Sequence, residues 1–209
     1  MFTTRKLFEW GGIAASIVLV AFGITAIVLG VNGRSTVHTN LAAEQIVGSP
    51  DMTPSAIKAE AAKAGLTNVD LPTCSVAGKP VDNGARARCF AQYMRIHTLE
   101  ATGGQTYAQM PRYATADGKG TNDVTAALTK DGRPVDNAAR NLWVTETALT
   151  TALNTSYLAE QISLFGIVVG VGLLLSGIGF GILALAGALR GKEAMVPLPK
   201  HAKEPVAAH

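Results

Sequence analysis

Two long stretches of this chain carry no charge. Gly11 to Val31 is a run of 21 residues and Ile162 to Leu189 is another of 28. A helix needs about 20 apolar residues to cross a hydrocarbon core of roughly 30 Å, so each run is long enough for one membrane crossing. Composition agrees. Of the 209 residues, 48% are hydrophobic and 16% charged, against about 25% charged in an ordinary soluble domain. The alternative is a pair of buried core helices, but the remaining segment of about 130 residues is too small to enclose both.

A cleaved leader is the other alternative for the first run. Signal h-regions extend over about 7–15 residues and close on a small-residue cleavage site. This run is longer and leads into Gly30-Val31-Asn32-Gly33-Arg34, so it reads as a retained anchor. Orientation follows from the basic residues. Arg5 and Lys6 precede the first run, and Arg190, Lys192, Lys200 and Lys203 follow the second. Lys and Arg close to span ends favour the cytoplasmic side.

Five segments result: a cytoplasmic N-terminal tail (1–10), transmembrane helix 1 (11–31), an extracytoplasmic helical domain (32–161), transmembrane helix 2 (162–189) and a cytoplasmic disordered tail (190–209). The fold class expected is an all-α membrane protein with a small, mostly helical domain inserted between two transmembrane helices. Residues 32–161 hold 12 basic and 12 acidic side chains, so the net +3 of the chain sits on the tails. A neutral outer domain argues against a nucleic-acid ligand.

Local signals divide the domain further. The sequence leaves open whether Ser35 to Val47 prolongs the first helix or Asn32-Gly33 breaks it. Thr53-Pro54 is an N-cap followed by proline at the first helical position, and Gly65 closes the helix that begins there. Residues 66–81 read as extended or irregular chain. Gly78-Lys79-Pro80-Val81-Asp82-Asn83-Gly84-Ala85-Arg86 then recurs as Gly132-Arg133-Pro134-Val135-Asp136-Asn137-Ala138-Ala139-Arg140, identical at seven of nine positions. Both copies read as helix starts, with Asp or Asn accepting from free amides; twin ligand-binding loops are the functional alternative. The first copy opens a helix from about Asn83 to Thr102, stopped by Gly103-Gly104, with Phe90, Tyr93, Met94 and His97 at helical spacing. The second opens a run without Gly or Pro from Asn137 to Phe165, one helix rising into the second span with Leu142, Leu149 and Leu153 on its inner face. Tyr107 to Thr129 has weak periodicity.

Small residues mark both spans. Gly166, Gly170, Gly177 and Gly181 fall within about 60° of one another at 100° per residue, and the first span offers Gly12, Ala15, Gly23, Ala26 and Gly30. Such faces let helix backbones approach closely, span against span or against another subunit. Cys74 and Cys89 are the chain's two cysteines, both in the outer segment. An even count in an oxidising compartment predicts a disulfide, contributing roughly 3 kcal/mol for a loop of this length; a spacing of 15 lacks the C-x-x-C geometry of redox and zinc sites.

His38, His97, His201 and His209 are the four histidines. His97 and Glu100 stand on adjacent turns, but one pair is not a metal site, since three or four ligands must converge. Neither span contains an ionisable group, which removes the usual sign of a proton or ion pathway. No Walker A loop, G-x-S-x-G or H-E-x-x-H motif is present. The expectation is therefore of no catalytic, cofactor-binding or metal-binding residue.

The block Ile96-His97-Thr98-Leu99-Glu100-Ala101-Thr102-Gly103-Gly104-Gln105-Thr106-Tyr107-Ala108 resembles a family of small actinobacterial two-span membrane proteins that carries the label "aromatic ring-opening dioxygenase". Glu44-Gln45-Ile46, Gly78-Lys79-Pro80-Val81 and Asn154-Thr155-Ser156-Tyr157-Leu158 are further points of similarity. The resemblance implies the same topology. Its label implies non-haem iron, which takes two histidines and a carboxylate at an open site, whereas the outer segment holds only His38 and His97. Expected partners are the lipid bilayer and another membrane protein or a second copy of this chain. A structural or accessory subunit leads, an envelope-ligand sensor follows, and a Cys74/Cys89 oxidoreductase is third.

Overall fold

The computed structural model describes residues 4–186, with side chains from residue 8 onward. The last residues of the second apolar run and the tail 190–209, expected to be disordered, lie outside the described residues. Four helices dominate: α1 (Thr4–Ala43), α2 (Pro54–Lys63), α3 (Gly84–Ala101) and α4 (Ala138–Leu185). Of these, α1 and α4 are long and apolar enough to span a membrane, with mean hydropathy 2.5 and 2.4 in their most apolar windows. Only 6% and 17% of those windows are buried. A core helix of a soluble protein would be mostly enclosed.

The chain divides into two compact units, one made of Met1–Ile24 with Gly170–His209 and the other of Thr25–Val169. These boundaries follow contacts and fall inside the apolar runs. In the first unit α1 and α4 are antiparallel neighbours: the Ser16 hydroxyl donates to the Gly177 carbonyl at 2.7 Å, and Gly23 lies on the backbone of Gly170 and Leu174.

The second unit contains the domain core. Here α1 does not break at Asn32-Gly33. Thr36 donates to the Asn32 carbonyl one turn back, and a Cβ on Gly33 would lie 2.6 Å from the Ser163 hydroxyl. Gly33 thus serves close packing inside a helix. The helix ends beyond Ala43, where Gln45 takes the left-handed conformation at φ 54. Residues 46–48 then pair with 77–81: the Val81 amide donates to Ile46, and Gly48 exchanges hydrogen bonds with Lys79 and Gly78.

Both shorter helices begin and end as their sequences predict. The Thr53 side chain accepts from the Ala56 amide and Pro54 fills the first position of α2. At its end Gly65 has φ 66, and the Leu66 amide closes back on Ala61, a left-handed stop that only glycine adopts at no steric cost. Asn83 caps α3 by accepting from Arg86, and Gly103 and Gly104 end it, both at positive φ. Phe90, Tyr93 and Ile96 are buried on the inner face of α3, and Met94 packs against the same cluster. Tyr93, Ile57, Ile96, Val76 and Val81 are the largest fully enclosed side chains; each apolar one is worth roughly 1.5–3 kcal/mol in transfer from water. The Tyr93 hydroxyl satisfies itself on the Cys74 carbonyl at 2.6 Å.

Three expectations need amendment. The chain is mostly helical rather than all-α, because Thr129–Lys130 and Arg133–Pro134 form a two-stranded antiparallel hairpin. Its turn residues Asp131 and Gly132 both have positive φ, the type I′ geometry that Asp-Gly favours. Leu142 is 41% exposed, whereas Trp143 joins Leu153 in the core with Leu149 packed against it. The Trp143 indole N–H donates to the Gln105 carbonyl at 2.8 Å, so the larger side chain takes the inward position. On α1, Ala15 is exposed and Ser16 takes the inward place expected of it.

Candidate functional site

The disulfide is formed: Cys74 bonds to Cys89, with Cα atoms 6.1 Å apart. It ties the extended chain before the first repeat copy to the second turn of α3, so the whole motif 78–86 lies within the closed loop. The four expected packing glycines turn towards α1 or lie buried. Gly170 and Gly177 are buried; a Cβ on Gly177 would lie 2.9 Å from Val20, one on Gly181 would lie 2.7 Å from the Ser16 hydroxyl, and Gly166 has ordinary contact distance to Ala26. Gly30 likewise sits against Ser163 and Ile167. In both units the small-residue faces are used within the chain, α1 on α4.

Two clusters of charged groups form in the second unit. The first centres on Glu160, only 5% exposed. One carboxylate oxygen accepts from Arg34 Nε at 3.0 Å and stands 2.9 Å from His38 Nε2. The other accepts from the Gly84 amide at 2.6 Å. That amide opens α3, where the helix dipole favours a negative charge. A single carboxylate therefore holds α1, α3 and α4 at one point. Gly84 is required there, because a Cβ would lie 2.8 Å from Tyr157 Cα and 2.7 Å from the carboxylate itself. Arg88 covers the Tyr157 ring at 4.8 Å from its centroid. Sequence reasoning passed over Glu160, yet a signal existed: Arg34 lies just beyond the first apolar run and Glu160 just before the second, so antiparallel packing of α1 on α4 sets them level.

The second cluster gathers Asp51, Glu60, His97 and Glu100. His97 Nδ1 is 2.6 Å from Glu60 Oε1, and its Nε2 is 3.7 Å from Asp51 Oδ2. One potential ligand atom from each of Asp51, Glu60 and His97 lies within 4.8 Å of the others. Asp51 comes from the turn after Pro50, Glu60 from the second half of α2 and His97 from the fourth turn of α3. Burial of Ile57 and Ala61 on α2 fixes which face of that helix meets α3. Glu100 joins through Glu60: a hydrogen bond between the two carboxyl groups pushes the Glu100 pKa up, because it needs a proton between two acids. A hydrogen bond from Ser49, more than the nearby His97, holds Asp51 below the usual carboxylate range. The sequence displayed the His97/Glu100 half of this cluster. Glu60 stands 37 residues before His97, and nothing local marks it as a partner.

At the second repeat copy an open pocket of about 210 Å³ is lined by Tyr107, Arg112, Asp136, Asn137 and Arg140 among others. The Arg140 guanidinium lies over the Tyr107 ring at 4.1 Å, and its buried Nε has no hydrogen-bond partner. His38 and His97, the two histidines of residues 32–161, belong to separate clusters with separate carboxylates. No protein family, curated protein or solved structure matches this chain.

Proposed function

We propose that this chain is a non-enzymatic two-span membrane protein that acts as an accessory subunit, holding an extracytoplasmic helical domain beside another membrane protein. Both termini lie in the cytoplasm in this reading, as the flanking basic residues favour. The disulfide supports it, since such bonds persist in oxidising compartments.

One observation carries the accessory role. Along α4, Val144, Ala148, Thr151, Thr155, Leu158, Ile162, Phe165 and Val169 are all exposed and follow one another at alternating spacings of four and three. That is the seam spacing of packed helices. Val144, Leu158, Ile162 and Phe165 are more than half exposed, and the upper end borders an open groove of about 540 Å³ beside Tyr107 and Trp143. The glycine faces are occupied by α1 against α4, whereas this stripe is exposed and free to receive a partner helix.

The test is retention of a partner in mild detergent. A polypeptide that co-purifies in stoichiometric amount from native membranes should be lost when Thr151 and Thr155 are both changed to Arg, exposed positions outside the apolar run. Retention by the double variant would sink the reading. A second reading, a sensor module, is favoured by one feature, the histidine–carboxylate cluster on the outer domain.

A further inference from the structure

We propose that Asp51, Glu60 and His97 form a binding site for a divalent transition cation of the zinc type, independently of the partner reading. The donor set suits such an ion: one imidazole and carboxylate oxygens bind zinc at about 2.0–2.2 Å. Calcium, which takes oxygen ligands only, does not exploit the histidine. Three separate segments supply the donors, and their atoms already lie within 4.8 Å of one another. Ligands around a tetrahedral zinc stand about 3–3.5 Å apart. Rotation of Asp51, whose side chain is 49% exposed, closes the remaining spread.

Geometry gives a second reason: the His97 ring already stands between the two carboxylates, Nδ1 2.6 Å from Glu60 Oε1 and Nε2 3.7 Å from Asp51 Oδ2. On entry the ion accepts the lone pair of one His97 ring nitrogen, the other ring nitrogen keeping the N–H of the neutral imidazole, together with one carboxylate oxygen each from Glu60 and Asp51. Water fills the fourth position, as at zinc sites with three protein ligands. The cluster opens on solvent, so the site exchanges its ion with the surrounding medium.

The experiment uses the full chain in detergent, purified with a histidine-free tag, and titrates it with Zn²⁺ against a chromogenic chelator. Saturable binding of one Zn²⁺ per chain is expected. His97→Gln and Glu60→Gln should each weaken it at least roughly tenfold, and Asp51→Asn, on an exposed turn, should weaken it without unfolding anything. Replacing His201 and His209 together by Ala should leave it unchanged. Zn²⁺ affinity in His97→Gln equal to that of the unaltered chain overturns the proposal, as does loss of binding on removing the two tail histidines. Co²⁺ gives an independent readout: visible absorption bands that Asp51→Asn alters are expected, and bands insensitive to both Asp51→Asn and His97→Gln count against the site.

Discussion

The two copies of the Gly-basic-Pro-Val-Asp-Asn motif share seven of nine residues and do the same local work, yet their charged side chains meet different fates. In each copy the glycine takes a left-handed conformation, φ 64 at Gly78 and 73 at Gly132. In each the valine amide pairs with a neighbouring extended segment, Val81 on Ile46 and Val135 on Leu128. In each the asparagine caps a helix, accepting from Arg86 in one case and Ala139 in the other. Beyond that they part. Arg86 pairs with Asp82 at 2.8 Å, while Arg140 stacks on Tyr107 and leaves Nε unpaired. The first copy lies inside the disulfide loop and its helix start is held by Glu160; the second has neither support. Gly84 and Ala138 mark the difference in sequence, because Glu160 and Tyr157 leave no room for a Cβ at the first. Turn and cap are properties of the nine residues, and the fate of the charges is a property of the neighbours.

That contrast can be broken most forcefully at the disulfide. Changing Cys74 and Cys89 to Ser should lower unfolding stability by about 3 kcal/mol. Hydrogen exchange should quicken over 78–86 and stay unchanged over 132–140; equal quickening in both copies would mean that they are not separately supported. Next in size is Glu160→Gln, which weakens three contacts at once. About 2–3 kcal/mol is expected from denaturant unfolding, towards the low side for a broken buried ion pair because Arg34 and His38 keep access to water.

Gly84→Ala should cost about 1–3 kcal/mol through overpacking against Tyr157, whereas Ala138→Gly should cost less than about 1 kcal/mol, the propensity difference alone. Equal effects would remove the explanation given for the one non-conservative change between the copies. The cap substitutions Asn83→Ala and Asn137→Ala should match each other at about 1 kcal/mol each, because the interaction is local. Smallest are the arginines. Arg86→Ala breaks an exposed pair worth no more than about 0.5 kcal/mol. Arg140→Ala forfeits a stacked cation worth about 0.5–1 kcal/mol, and thermal shifts in the opposite order would contradict the assignment of their surroundings.

Much of this molecule was legible because its signals are short in range. Two uncharged runs of sufficient length define helices able to span a membrane. Thr53-Pro54 with Gly65, and Asn83 with Gly103-Gly104, bracket α2 and α3 by groups only a few residues apart. Cysteine parity gave the Cys74–Cys89 bond. The Asp131-Gly132 turn was also readable as a type I′ hairpin signal, although the weak pattern around it hid the two short strands.

Tertiary structure decided what lies between distant segments. Asn32-Gly33 has the composition of a helix breaker, and only the close approach of Ser163 makes Gly33 a packing residue within α1. Leu142 and Trp143 are adjacent hydrophobic residues, and which one turns inward was settled by the Gln105 carbonyl that accepts from the indole. The Glu160 junction joins three helices, and the Asp51–Glu60–His97 cluster joins a turn to two helices. Their partners lie far apart in sequence, where periodicity carries no information and packing of the apolar faces alone sets the register. The sequence by itself determined the two apolar runs, the ends of α2 and α3 and the bond between the cysteines, since these depend on neighbours along the chain; how far α1 continues and which charges meet depended on neighbours in space.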